Sequence, residues 1–275
     1  MASRPGHILS LQHCTIRQAG WPNIVCTRKN TTMYYNQDLA VIHDTGFSAM
    51  AEAAATQALD LIRRSGMQYA VVVDLGCGSG TFARHVAAEG HRVVGVDYSE
   101  NMVRIAREQV PAAEFHQGSF LDFALPPCDL VTAIGEVFNY LFDEKNSLDA
   151  LEGVFRNIYA ALHPGGILMF DSIESGILGA SPQSRRIIEN DAWTLFLDYS
   201  EDRAAGTLER RIVIFRKEGG SELYAKSVEV HRLNLYDRQL IRDRLLSVGF
   251  SEVTTLERYA NLQLRDKNYV VVAVK

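Results

Sequence analysis

Three alternate glycines, Gly76, Gly78 and Gly80, follow an apolar run that ends at an aspartate, Asp74. Glycine has no side chain to block a ligand and tolerates backbone angles that other residues avoid, so such a loop can approach a bound molecule closely. A second carboxylate, Asp97, ends the next apolar run. There it can accept both hydroxyl groups of a ribose. These residues predict a site for a cofactor that contains a nucleoside.

The segments around these glycines have the pattern of a βαβ unit. Residues 70–73 are a short apolar run rich in β-branched side chains, residues 81–89 have helical character, and residues 92–96 are a second apolar run. This order is the layout of nucleotide-binding units. The NAD fingerprint requires a third glycine at the third position after Gly78, where this chain has Thr81. The spacing therefore indicates a cofactor other than NAD.

The loop 74–80, followed by Asp97, strongly resembles the cofactor loop of class I S-adenosylmethionine-dependent methyltransferases. The resemblance covers about residues 34–275. It implies an α/β fold with a doubly wound, Rossmann-like sheet of seven strands, and S-adenosyl-L-methionine as the cofactor. It also implies transfer of a methyl group to a nitrogen or oxygen nucleophile of a small molecule by in-line displacement.

The resemblance assigns contacts to individual residues. Asp74 is expected to support the loop near the amino group of the cofactor's methionine part, and Tyr98 and Met102 to flank the adenine. Family members often carry Gly-Asp after the third strand, where this chain has Gly118-Ser119, so a hydroxyl replaces the carboxylate. The residues predicted to bind the cofactor are Asp74, Gly76, Gly78, Gly80, Asp97, Tyr98, Met102, Ser119, Phe120, Gly135 and Tyr35.

The segment after the predicted fourth strand, 128–134, is expected to reach the reacting centre. Ligands of open α/β sheets bind at the carboxyl ends of the strands, which places Glu136, Asn139 and Tyr140 there. Capping of the next segment is the structural alternative for Asn139 and Tyr140. An amine acceptor can lose its proton to water or a modest base, whereas a hydroxyl acceptor needs a well-placed base. The predicted catalytic residues are Glu136, Tyr140 and His43.

The first part of the chain divides into two segments. Residues 1–32 show no period of two or of 3.6 and are predicted to be a flexible extension. Met33 opens the structured part, which suggests a translation start there as a hypothesis. Residues 34–47, with Tyr35 and His43, are polar and aromatic. In resembling enzymes such a segment folds over the cofactor as a lid, and a surface cap is the alternative.

Beyond the reacting centre, the pattern alternates and then changes. Residues 147–162 are predicted as a helix that ends at the turn 163–166, and residues 167–171 as the fifth strand. A period of two then predicts a small antiparallel sheet inserted at about 191–234. The chain ends with a predicted helix, 236–248, and a strand pair. The predicted domains are the extension 1–32 and a methyltransferase domain, 33–275, with this insertion.

Composition excludes several classes of function. A formal net charge of −5 argues against a broad nucleic-acid interface, and no apolar run approaches the ~20 residues of a membrane span. The four cysteines are scattered and the histidines lack ligand spacing, so neither disulfides nor a metal site is expected. A cytoplasmic location is expected for the same reason. Basic residues occur as pairs interpreted as solvated, Arg63-Arg64, Arg185-Arg186 and Arg210-Arg211. The oligomeric state is left open.

Two alternatives remain at this point. A nicotinamide-dependent dehydrogenase shares the βαβ logic, although Thr81 stands where it needs glycine. A partner subunit that binds S-adenosylmethionine without catalysis would keep the same loop.

Overall fold

The computed structural model describes Tyr35, residues 38–40, Ile42, residues 48–217 and residues 223–275. The predictions for residues 1–32, Met33 and His43 lie outside this part. Its main helices are α1 (Ser48–Arg64), α2 (Thr81–Ala88), α3 (Glu100–Gln109), α4 (Leu148–Ala161) and α5 (Arg238–Val248), with a short 3-10 helix at Val137–Asn139.

The strands, in chain order, are β1 (Val71–Leu75), β2 (Arg92–Asp97), β3 (Glu114–Gln117), β4 (Cys128–Ala133), β5 (Leu162–Ile173), β6 (Gln183–Glu189), β7 (Trp193–Asp202), β8 (Thr207–Lys217), β9 (Tyr224–Asn234), β10 (Glu252–Leu256), β11 (Arg258–Tyr259), β12 (Leu262–Gln263) and β13 (Asn268–Val274).

The central sheet has seven strands in the order β10-β13-β5-β4-β1-β2-β3. Neighbouring strands from β5 to β3 run parallel, and β13 is antiparallel to both β5 and β10. The antiparallel strand between its neighbours confirms the predicted class I methyltransferase architecture. The order reverses at β1, so a crevice forms at the carboxyl ends of the strands there.

Helices cover both faces of this sheet because its strands are apolar on both sides. Val72 on β1 belongs to the core shared with α1, α2 and α3, and the next residue, Val73, to the core shared with α4 and α5. Both valines are fully buried. Ser99 and Ser147 begin α3 and α4 by accepting a hydrogen bond from a backbone N–H of the first turn.

The inserted sheet has four antiparallel strands, β6-β7-β8-β9. It therefore begins at Gln183, one strand before the boundary expected near residue 191. Strand β6 is an exposed edge strand with isoleucines only at positions 187 and 188, so the sequence shows no period of two there.

The inserted sheet joins the core through backbone contacts. Tyr140 forms a β-bridge with Leu233, and Leu141 N donates to Arg232 O over 2.8 Å. On the inner face, Leu39 and Ile42 of the N-terminal segment pack against apolar side chains of β7 and β8. The sheet is thereby held over the carboxyl edge of the central sheet.

Strand β5 begins earlier than expected. The predicted turn 163–166 lies inside it, with an irregular register opposite β4. Gly165 has a φ of 78°, and Gly165 and Gly166 exchange backbone hydrogen bonds with Lys275. No helix of the described ranges is both long enough and apolar enough to cross a bilayer.

Candidate active site

A cleft opens at the carboxyl ends of β1, β2 and β4. The predicted cofactor residues that line it are Tyr35, Gly76, Gly78, Asp97, Tyr98, Met102, Ser119, Phe120 and Gly135, and the predicted catalytic residue Tyr140 lines it too. The lining residues that were not predicted to bind are Val96, Gly118, Ile134, Val137, Phe142 and Asp143.

The glycine loop forms one wall of this cleft. Gly76 N and Cys77 N both donate to Val96 O, over 2.7 and 3.0 Å, so the loop is fastened to the end of β2. Gly76 has a φ of 69°, and a Cβ there would lie 2.4 Å from Val137. Gly78 has a φ of 54°, and a Cβ there would meet nothing within 4 Å. Gly76 is thus required by packing, whereas Gly78 leaves open space in the cleft.

Gly78→Ala should weaken binding of S-adenosylmethionine, the cofactor that the sequence predicts, by at least about tenfold. The new methyl group projects into the cleft, and the left-handed backbone costs about 1 kcal/mol of stability. Gly165→Ala is the matched control, because its φ is also left-handed and its Cβ also meets nothing, but it lies outside the cleft. Calorimetry and urea unfolding measure both quantities. Equal affinities of the two variants would show that Gly78 does not face the cofactor.

Asp97 lies at the end of β2 with both carboxylate oxygens bonded to backbone. Oδ2 accepts from Gly78 N over 2.9 Å, and Oδ1 from Ser99 N over 2.8 Å. Burial raises the pKa of Asp97, and these two hydrogen bonds oppose the rise. Each oxygen keeps a further lone pair, so Asp97 anchors the loop and can also accept hydroxyl groups of a ligand in the cleft.

Two predicted cofactor residues lie behind the cleft wall instead of in it. Asp74 is buried and accepts a hydrogen bond from Thr132 Oγ1 over 2.8 Å. Burial raises the pKa of Asp74 to about 7, and the nearby charge of Asp97 adds to the rise. A Cβ at Gly80 would approach Ala106 of α3 to 3.2 Å. Asp74, which was expected to support the loop, and Gly80 therefore lie behind the residues that line the cleft.

The far end of the cleft is mostly apolar. Met102 is buried, Tyr98 is 44% exposed, and the Phe120 ring packs edge-on against Phe138 at 5.4 Å. Ser119 Oγ accepts from Leu121 N over 3.3 Å, which uses a lone pair and leaves the hydroxyl proton for another acceptor. This arrangement suits a flat, weakly polar group such as a purine.

The turn after β4 is held by a buried carboxylate. Asp171 Oδ1 accepts from Gly135 N over 2.7 Å, and Oδ2 from Glu136 N over 2.8 Å. Tyr259 Oη also donates to Asp171, over 2.8 Å. Burial raises the pKa of Asp171 to about 6 against these hydrogen bonds. Asp171 is fully buried beneath this turn.

Glu136, predicted as a base, is engaged in an ion pair. Its Oε2 lies 2.9 Å from Arg210 Nη2, and both side chains are more than four-fifths buried. Asn268 Nδ2 donates to Oε1 over 3.2 Å. Both oxygens of Glu136 are therefore engaged with other side chains, and its role as proton acceptor stays a prediction.

Tyr140 lies between the ion pair and the cleft. Arg210 Nη1 donates to Tyr140 Oη over 2.9 Å, and the phenol also shares a hydrogen bond with Tyr35. Burial raises the pKa of Tyr140 despite Arg210, so at neutral pH the phenol is protonated and is no base. Asn139, expected at the reacting centre, is fully buried and bonds Ile173 O and Asn234 O. The prediction for Asn139 is wrong, because that side chain ties the core to the inserted sheet.

Tyr35 forms part of the roof. Its backbone N donates to Glu229 Oε2 over 2.8 Å, and its carbonyl accepts from Ser99 Oγ over 3.2 Å. Its ring packs against Phe142 and His231, with centroids 5.9 and 5.3 Å away. Tyr35 thus bridges β9 of the inserted sheet and the start of α3. The lid over the cofactor stays a prediction.

Arg210 is the main residue of the site that the sequence did not predict, because it was interpreted as one of a solvated pair. Along β8, successive side chains point to opposite faces, so Arg210 faces the core while Arg211 lies on the outer face beside Asp198. A strand with alternating burial cannot place two adjacent arginines in the same environment. The predicted period of two in β8 therefore indicated that one of the two arginines faces inward. His231 is buried beside Glu229, with Nε2 and Oε2 2.8 Å apart.

No group of three or more His, Cys, Asp and Glu side chains within the described part of the chain is placed to hold a metal ion.

Comparisons with known proteins agree with this geometry. A family model described as a methyltransferase domain matches residues 72–166. A putative methyltransferase from Geobacillus sp. (strain WCH70) is 28% identical over 193 residues, which cover 66% of this chain and 73% of the relative.

One relative and one solved structure have more specific names. The dTDP-4-amino-2,3,4,6-tetradeoxy-D-glucose N,N-dimethyltransferase of Saccharopolyspora spinosa is 30% identical over 149 residues, covering 53% of this chain and 58% of the relative. This chain thus spans little more than half of that enzyme in the alignment. The X-ray structure of the sugar N-methyltransferase KedS8 from Streptoalloteichus sp. ATCC 53650 aligns with a TM-score of 0.68 at 17% identity, covering 98% of this chain and 99% of that one. That likeness shows a shared fold.

Proposed function

The chain belongs to the class I S-adenosylmethionine-dependent methyltransferases, and from that premise we propose that its acceptor is the amino group of a nucleotide-linked sugar. Membership in this family removes the nicotinamide alternative, and the names of the relatives favour an enzyme over a non-catalytic subunit. A relative that is 30% identical is named for dimethylation of such a sugar amine. A sugar N-methyltransferase shares the fold over nearly the whole chain. Both support the amine acceptor.

The cleft fits S-adenosylmethionine in this structure. The open space at Gly78 admits a ligand against the loop, and the carboxylate of Asp97 reaches the cleft with lone pairs left for a ribose. Tyr98, Met102 and Phe120 supply an apolar surface for the adenine. When bound, the cofactor supplies a methyl group on a positively charged sulfonium. The protein therefore has to align two reactants and keep water out.

The state of Glu136 and Tyr140, the two predicted bases that the structure describes, favours a nitrogen nucleophile. Glu136 is ion-paired with Arg210, and the Tyr140 phenol is protonated because burial raises its pKa. An amine can release its proton to water before it enters the cleft, whereas a hydroxyl acceptor needs a base at the reacting atom. The Glu136–Arg210 pair is the observation that carries the proposal.

The roof favours a small acceptor. Tyr35, Tyr140 and Phe142 line the cleft. Behind them, the ring of His231 on the inner face of the inserted sheet packs against all three. A nucleic acid or folded protein would need an open surface in this place. The net charge of −5 also gives no attraction for nucleic acid. The scattered cysteines support a cytoplasmic location as part of the same proposal.

Incubation with S-adenosylmethionine and dTDP-4-amino-2,3,4,6-tetradeoxy-D-glucose tests this proposal. We expect products heavier by one and two methyl groups by mass spectrometry. The control acceptor is dTDP-glucose, which offers only hydroxyl groups and should remain unmodified. Methylation of dTDP-glucose would contradict a sugar amine as the acceptor. So would a lack of methylation of both sugars if methyl groups from labelled S-adenosylmethionine enter protein or RNA of a cell extract.

A further inference from the structure

Asp171 connects three elements beneath the reacting centre. It lies on β5, is fully buried, and accepts hydrogen bonds from Gly135 N, Glu136 N and Tyr259 Oη over 2.7, 2.8 and 2.8 Å. A carboxylate that accepts several hydrogen bonds holds its donors more firmly than a neutral acceptor does. Nothing in the chemistry of methyl transfer uses this group directly.

The turn that Asp171 holds is conformationally costly. Gly135 has a φ of 91° and Glu136 a φ of 64°. Two consecutive left-handed residues are rare, and the second is not glycine, so the backbone is strained there. The paired hydrogen bonds to one carboxylate offset this strain. Without them, the turn would relax toward ordinary backbone angles and carry Glu136 away from its present position.

The position of Glu136 affects a wall of the cleft through two side-chain contacts. Its side chain pairs with Arg210 of β8, over 2.9 Å, and Arg210 in turn donates to Tyr140 Oη over 2.9 Å. Tyr140 lines the cleft beside Gly135. A shift of the turn would therefore move this wall of the cleft, and small misplacements near reacting groups cost on the order of 10²-fold in rate.

We propose that Asp171 is a positioning residue for methyl transfer, which sets the Gly135–Glu136 turn and, through the Glu136–Arg210 pair, the place of Tyr140. It touches neither reactant. The activity arm of the test below rests on the proposed sugar-amine acceptor, and the binding and spectroscopic arms do not.

The charge of Asp171 links this role to pH. Burial raises its pKa to about 6, and Glu136 from the turn adds to the rise, while Tyr259 from β11 and the two turn amides oppose it. Burial raises the pKa of Tyr259, and the charges of Asp171 and of Asp74 on β1 add to the rise. The positive charge of Arg210 lies against the carboxylate of Glu136. A protonated Asp171 accepts fewer hydrogen bonds, so the turn should loosen as the pH falls below this value.

Asp171→Asn is the first variant. Its amide nitrogen must face one of the turn's N–H donors, so we expect kcat with the dTDP-amino sugar to fall about 10- to 100-fold. The dissociation constant of S-adenosylmethionine should rise less than about fivefold, because Asp97 and the glycine loop are intact. Asp129→Asn is the matched control, since Asp129 also accepts a backbone N–H, from Val71 over 2.8 Å, at the opposite edge of the sheet. It should keep kcat within about twofold.

A double-variant cycle separates positioning from a loss of structure. If Asp171 acts through Glu136, Asp171→Asn/Glu136→Gln should be no slower than the slower single variant, within about twofold. Effects that multiply would overturn the proposal. So would a fall in kcat for Asp171→Asn that matches a fall in melting temperature and vanishes on cooling.

The Gly135 amide gives a readout that needs no acceptor. In protein labelled with ¹⁵N-glycine, its proton shift should titrate in the wild type with a midpoint near pH 6 and stay flat in Asp171→Asn. A Gly135 amide proton shift that is the same in the wild type and in Asp171→Asn at pH 8 would overturn the proposal, whatever the acceptor is. Failure of the dTDP-amino sugar to react, with this titration present, would count against the proposed acceptor alone.

Discussion

Replacement of Asp97 by alanine lowers the affinity for S-adenosylmethionine by about 100-fold or more. The carboxylate can accept both ribose hydroxyls, and each hydrogen bond to a charged group contributes about 1.5–3 kcal/mol. The variant also loses the anchors of Gly78 N and Ser99 N, so the loop itself becomes less ordered. Isothermal titration calorimetry with S-adenosylmethionine measures the change.

Asp129→Ala is the control for this experiment. Asp129 also accepts a backbone N–H from another segment, Val71 N over 2.8 Å, and it lies at the amino end of β4, away from the cleft. It should bind S-adenosylmethionine as the wild type does. An Asp97→Ala variant that binds as tightly as Asp129→Ala would remove the assigned cofactor site.

The ionisation of Asp97 also determines how the binding of S-adenosylmethionine depends on pH. Burial raises the pKa of Asp97 in the free protein, and only the ionised form accepts two hydroxyl groups freely. Affinity should therefore fall as the pH is lowered toward that pKa, and Asp97→Ala should not show this dependence.

The cofactor half of the site could be predicted from the sequence because its signals are local. Gly76, Gly78 and Asp97 lie within one βαβ unit, and the fold of that unit fixes their relative positions. All three line the cleft. The resemblance that these local signals carry also implied the seven-stranded sheet.

The acceptor half could not be predicted, because its contacts join distant segments. Glu136, Arg210 and Asn268 meet only when β4, β8 and β13 are assembled. Their residue types alone favour a solvent-exposed position, and that is how Arg210 was interpreted. Glu136 was chosen as a base for its place at a strand end, and the pairing that changes its role depends on the inserted sheet.

Edge strand β6 shows a different limit. It pairs along its whole length with β7, yet it is mostly exposed and carries few apolar residues. Its existence comes from backbone pairing, which leaves little trace in side-chain periodicity. Asp74 and Gly80 show a third limit, since a motif places residues in a loop without telling which ones face the ligand.

Arg210→Met lowers the free energy of unfolding by about 3 kcal/mol, within the range for breaking a buried ion pair. Glu136 would stay between the core and the inserted sheet without its partner, and Tyr140 Oη would lose a donor. The inserted sheet and the central sheet are coupled through this pair, so the loss should appear in the cooperative unfolding of the whole chain. Urea unfolding followed by circular dichroism measures it.

Arg211→Met is the matched control, because Arg211 is the next residue of β8, is about half exposed, and lies 3.6 Å from Asp198 on the outer face. Exposed pairs contribute about 0–1 kcal/mol, so this variant should unfold almost as the wild type does. Arg210→Met/Glu136→Gln should recover most of the loss, since a neutral amide costs less to bury than an unpaired carboxylate. Equal midpoints for Arg210→Met and Arg211→Met would mean that the ion pair does not couple the two sheets. The position of Tyr140 would then have to depend on its other contacts, which include the bridge to Leu233 and the stacking on Phe142.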